Sequence, residues 1–132
     1  MAELIAILIG SVVLLILLQL AQRAAGRLNR DYYQKKWREI KVLEQSSAAA
    51  QRLAVIEGDK VLDKAMKESG IKGATTGDRL KSAGSRLGDI GAVWTAHKLR
   101  NRLVHEESKP KPRDIRQAIK AYQNALKKLG AL

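Results

Sequence analysis

The stretch Ala96-His97-Lys98-Leu99-Arg100-Asn101-Arg102-Leu103-Val104-His105-Glu106 gathers the residues of this chain best suited to chemistry, including both of its histidines. An imidazole titrates near neutrality and can give or take a proton at cellular pH. A guanidinium stays charged and presents a planar fork of donors to a phosphate or carboxylate. With an amide to orient them, these groups form a general acid/base set suited to phosphodiester chemistry. Asn101 stands four residues before His105 and four after His97, so on a helix it neighbours either ring. Arg100 and His105 instead point about 140° apart on an ideal helix. Either the helix ends at His105, or a site using both residues combines two chains. A purely structural reading accompanies the chemical one: cations and a histidine late in a helix suit the partial negative charge of its C-terminus.

The segment Arg100-Asn101-Arg102-Leu103-Val104-His105 resembles the Arg-x(4–6)-His motif of HEPN-domain proteins, in which a polar residue commonly follows the arginine. The resemblance covers roughly residues 40–132 and implies a small all-α bundle of four to five helices, often dimeric. Many such proteins are metal-independent endoribonucleases in which the ribose 2′-hydroxyl attacks the adjacent phosphate, leaving a 2′,3′-cyclic phosphate. Carried onto this chain, Arg100 stabilises charge on the phosphate, His105 acts as general base or acid, and Asn101 positions them. No cofactor is implied, and the expected partners are RNA and a second copy of the chain. Other relatives serve as binding partners without cleaving, so a non-enzymatic helical adaptor for an unidentified protein is the alternative.

Metal and nucleotide chemistry find less support. His97 and His105 lie eight residues apart, no cysteine is present, and Glu106 and Glu107 fall outside usual zinc spacing. The glycine-bearing segment from Gly70 to Gly77 follows no strand and lacks the phosphate-cradling pattern that ends in Gly-Lys-Ser/Thr. No serine sits in a nucleophile-elbow context.

The elements that must position these residues read as helices throughout. Phe is absent and aromatics are few, so the core has to be built from Leu, Ile, Val and Ala. Leu4 to Gln22 is an uncharged, largely aliphatic run of 19 residues. As a helix it spans about 28 Å, close to the hydrocarbon thickness of a bilayer. A cleaved signal peptide calls for a basic start and a shorter apolar core, whereas this run follows Met-Ala-Glu. A transmembrane anchor over residues 1–24 is therefore expected. Arg23, Arg27, Arg30, Lys35, Lys36 and Arg38 follow it, which places this flank on the cytoplasmic side and the N-terminus outside. Beyond residue 22 the chain carries 25 Lys and Arg against 12 acids, a balance suited to nucleic acid or anionic headgroups.

Residues 25–45 read as a basic juxtamembrane helical linker, with Tyr32, Tyr33 and Trp37 near the interface. Residues 46–132 read as the HEPN-like bundle. Its first helix runs from about Ala48 to Ser69, capped by Ser46 or Ser47, with Ala54, Val55, Val61, Leu62, Ala65 and Met66 as its apolar stripe. Gly58 lies on that stripe, where it permits close approach of another helix. Asp63 and Lys67 are spaced as a surface ion pair. Thr75 or Thr76 caps a short helix bearing Leu80, Ala83 and Leu87, Gly88 ends it, and Asp89 caps the next. Pro110 and Pro112 stiffen the connection to a last helix striped by Ile115, Ile119, Tyr122, Leu126 and Leu129.

Overall fold

A computed structural model describes residues 1–105 and 109–132 of the chain, except the side chains of 22–25. Glu106 and Glu107, weighed above as metal ligands, lie outside the described residues. Six α-helices follow one another: α1 Ala2–Ala25, α2 Arg30–Glu44, α3 Ala48–Glu68, α4 Thr76–Ala83, α5 Ile90–His105 and α6 Pro112–Lys128, with a 3₁₀ turn over Gly84–Leu87. The fold class is all-α, an apolar N-terminal helix followed by a packed five-helix bundle.

No residue of the stretch Ala2–Ala21 of helix α1 is buried, and α1 touches none of the other described helices. Its stretch Ala2–Ala21 is long and apolar enough to cross a bilayer. A helix apolar on every face needs a lipid or protein surround. That property fits a single-pass anchor or a signal sequence.

The bundle begins earlier than the boundary expected at residue 46. Asn29 caps α2 by accepting the Tyr32 N–H at 3.1 Å, and the helix lies along α3. Tyr33, Trp37 and Ile40, spaced four and three residues apart, turn one face of α2 into the core. Two of the aromatics read as interfacial, Tyr33 and Trp37, are thus buried, and Tyr32 stays exposed. The Tyr33 hydroxyl donates to Glu68 Oε2 at 2.6 Å, which fixes the register of α2 on α3. The basic residues of α2 decorate a helix of the bundle.

Helix α3 is the central element, packed against α2, α4, α5 and α6. Ser47 caps it by accepting the Ala50 N–H, and Gly58 admits the ring of Tyr122 from α6. A Cβ at Gly58 would stand 2.7 Å from Tyr122 Cδ2, so the close approach read from the sequence does occur. Helix α6 starts at Pro112, whose missing N–H costs nothing at the first helical position. Its stripe Ile115, Ile119, Tyr122 and Leu126 is fully buried, and Leu129 is half-buried. Burial of each Leu or Ile side chain contributes about 1.5–3 kcal/mol.

Candidate functional site

Helix α5 holds the site, and its neighbours fix both its ends. At its start, Asp89 Oδ1 accepts the Ala92 N–H at 3.0 Å, satisfying one of the free first-turn donors. At its end, the Arg52 guanidinium of α3 donates to the Leu103 carbonyl at 3.0 Å. That bond occupies an acceptor that the helix leaves open and puts a positive charge against the negative end of its dipole. Val93, Ala96, Leu99 and Leu103 are buried, so the helix cannot rotate about its own axis without exposing them.

Asp59 is the most buried charged side chain among the described residues, 2 % exposed on the apolar stripe of α3. His97 Nδ1 lies 2.8 Å from its Oδ1, and the Tyr122 hydroxyl donates to the same oxygen at 3.1 Å. Its other oxygen, Oδ2, faces Arg100 Nε at 3.7 Å. An ionised carboxylate only accepts, so Nδ1 of His97 carries the proton. The other ring nitrogen, Nε2, faces Asn101, whose Nδ2 stands 3.5 Å from it. The Asn101 amide closes the circuit, because its Oδ1 accepts from Arg100 Nη1 at 2.9 Å. Arg100, Asn101, His97 and Asp59 thus form a closed ring of polar contacts that ties α3 to α5, with Tyr122 joining α6 to it.

The electrostatics follow from burial. A carboxylate this deep requires a compensating charge, and Arg100 supplies it. Burial, the Asp59 charge and the hydrogen bond to it all push the Tyr122 phenol well above its ordinary range, so it stays a neutral donor. Arg100 Nε is buried with no hydrogen bond among the described residues, held by charge alone. The rest of that side chain reaches the surface, with 28 % of it exposed.

A second polar cluster closes the site from the side. Asp63, one turn along α3 from Asp59, receives Arg79 Nε at 2.6 Å and Arg79 Nη2 at 3.0 Å. The same guanidinium donates through Nη1 to the Gly73 carbonyl at 2.5 Å, so the buried Arg79 pins the α3–α4 loop to α3. The expected Asp63–Lys67 pair also forms, at 3.1 Å. Burial raises the Asp63 carboxyl, but hydrogen bonds from Arg79, Lys67 and Thr76 outweigh it and hold the group below the usual carboxylate range. Thr75 caps α4 by accepting the Asp78 N–H. That places Gly77 beside the His97 ring, where a Cβ would lie 4.0 Å from Nε2 and 3.8 Å from the Trp94 ring. Trp94 meets His97 edge to face, and the imidazole is enclosed.

Of the residues singled out from the sequence, the fold joins Arg100 and Asn101 and leaves His105 apart. Asn101 turns back to His97, although the spacing to His105 is the same. His105 is the last residue of α5, exposed, and its side chain makes no hydrogen bond or ion pair among the described residues. The two residues that organise the site, Asp59 and Tyr122, escaped the sequence reading. The signal for Asp59 was present: an acid sharing a helical face with Val55 and Leu62 is a buried charge in need of partners. No group of three or more His, Cys, Asp or Glu able to hold a metal occurs among the described residues. Comparison of the chain with protein-family models, with curated proteins and with solved structures finds no match in any of the three.

Proposed function

We propose that this protein is a membrane-anchored, HEPN-like bundle that handles RNA at the cytoplasmic face, with Arg100, Asn101 and His105 at the site. The observation that carries it is the state of Arg100: a guanidinium fixed by Asp59 and Asn101, yet with 28 % of its side chain exposed. Such a group meets a phosphate without first losing its own freedom, which favours binding to the charge that develops in a transition state. His105, exposed at the end of α5, supplies the proton exchange, and Asn101 holds the guanidinium. Although α5 ends at His105, that exposed imidazole joins none of the contacts that fix Arg100, so each site takes its arginine from one chain and its histidine from another. Helix α1 is the single-pass anchor, and its basic flank keeps the bundle in the cytoplasm.

The test is incubation of the full chain, in detergent micelles, with labelled RNA in EDTA. Cleavage that survives EDTA and vanishes in Arg100→Ala and His105→Ala supports the proposal. Wild type and variants equally inert would refute cleavage. If none of them bound RNA either, RNA handling would fall with it.

A specific observation favours a second, non-enzymatic reading. A groove of about 460 Å³ runs between α5 and α6, floored by Leu87, Ala92, Ala96, Leu99, Ala118 and Ala121. Small side chains leave room for a partner helix, as an adaptor requires. Loss of partner capture from membranes on Ala92→Leu, at the half-buried edge of the groove, with RNA absent, would favour it.

A further inference from the structure

We infer that the outer face of α2 docks on anionic lipid headgroups of the same bilayer that holds α1, an inference resting on the anchoring role proposed for α1. The first observation is a covalent limit. Only Gly26 to Asn29 separate α1 from α2, so the start of α2 lies at most about 17 Å from the end of α1. An attractive headgroup field reaches about a Debye length, roughly 8 Å at physiological salt, so α2 is the part of the bundle brought nearest to it.

The second observation is which groups α2 presents. Its buried face is Tyr33, Trp37 and Ile40; the opposite face carries Asp31, Lys35, Arg38 and Val42, two cations against one acid. Lys36 is occupied by Glu39 and Lys41 by Glu44. Lys35 and Arg38, with Arg27 and Arg30 just before them, are exposed and make no ion pair among the described residues. Val42 adds a largely exposed apolar side chain, 66 % accessible, in line with the two outward cations. Cations flanking an apolar contact suit a headgroup surface, where each Lys or Arg strengthens attraction about fivefold. Docking there would set the height at which α5 stands above the membrane.

The chain lacks cysteine, so Val42→Cys gives a unique site for a nitroxide on the full chain. The labelled protein is reconstituted into phosphatidylcholine vesicles and into vesicles containing a quarter phosphatidylglycerol. Expected are carbonate-resistant flotation with both, and shielding of the label from an aqueous nickel chelate only with the anionic lipid. The same label in a Lys35→Glu/Arg38→Glu background should float equally but lose its shielding, the docking equilibrium constant falling at least about 25-fold, two steps of about fivefold. Half-molar salt should do the same. Flotation with equal label exposure in both vesicles would overturn the docking and leave the anchor standing. Failure to float with phosphatidylcholine would instead overturn the anchor, and the docking with it. Shielding that required added RNA rather than anionic lipid would assign these cations to nucleic acid and overturn the inference.

Discussion

Replacing Asp59 by Ala removes the acceptor for His97 and Tyr122 and the countercharge for Arg100 in one step. Each side chain was placed at the cost of its hydration, so none of that cost is recovered while the fold persists. Breaking a buried ion pair by deleting one partner costs about 3–5 kcal/mol, and each donor left unsatisfied about 1–3 kcal/mol where water cannot enter. The two figures overlap, because Arg100 and His97 both regain partial access to solvent. A net loss of about 3–5 kcal/mol corresponds to a fall in Tm of roughly 15–25 °C for a bundle of this size. The assay is intrinsic fluorescence during thermal unfolding of the full chain in detergent. Both tryptophans, Trp37 and Trp94, lie in the bundle, so α1 does not contribute to the signal. Glu57→Ala is the control, since among the described residues Glu57 pairs only with exposed Lys60 on the same helix, a contact worth about 0–1 kcal/mol. A fall in Tm of less than about 5 °C for Asp59→Ala would refute the central place given to this carboxylate.

Three further outcomes follow from the same geometry. Gly58→Ala gains about 1 kcal/mol of helix propensity but forces a methyl into the buried Tyr122 ring, so denaturant titration should show a net loss of about 1–2 kcal/mol. The Asp63 carboxyl is held below its unfolded value, so its contribution is intact above about pH 4 and is lost as pH falls through the folded value. Accordingly, Asp63→Asn should lower Tm at pH 6 and flatten the decline between pH 4 and pH 2, whereas an unchanged acid limb would contradict the Arg79 clamp. Tyr33 and Tyr122 are displaced the opposite way, chiefly by burial, so their contribution is complete below about pH 10 and is lost as pH rises. A Tyr33→Phe/Tyr122→Phe chain, less stable at pH 7, should show a shallower alkaline decline in the same melts.

The helices were legible because their apolar residues recur at helical spacing and their ends carry caps. Ile115, Ile119, Tyr122 and Leu126 announce α6 without help, and Ser47, Thr75 and Asp89 act where cap preferences put them. The role of α2 was obscured by its cations. Its buried triplet Tyr33, Trp37 and Ile40 has helical spacing, but the charged residues around it and the apolar run before it suggested a linker. The site was half legible. Arg100 and Asn101 stand out as residue types on one helix, whereas Asp59 and Tyr122 join them from 38 residues before His97 and 63 residues after Asp59. Such pairings depend on how α3, α5 and α6 stack, which no local spacing encodes. Which histidine Asn101 meets was likewise undecidable from spacing. Burial decides it: Asp59 draws His97 inward, while His105 lies at the exposed helix end.

The most direct test of the proposed RNA chemistry mixes two inactive chains. In a dimer of Arg100→Ala with His105→Ala, one composite site lacks both residues and the other keeps both. Random pairing makes half the dimers mixed, so co-refolded chains should recover about a quarter of wild-type, EDTA-resistant RNA cleavage. Recovery near that level would support a site shared between two chains. No recovery, with wild type active and the mixed dimer demonstrated, would contradict it.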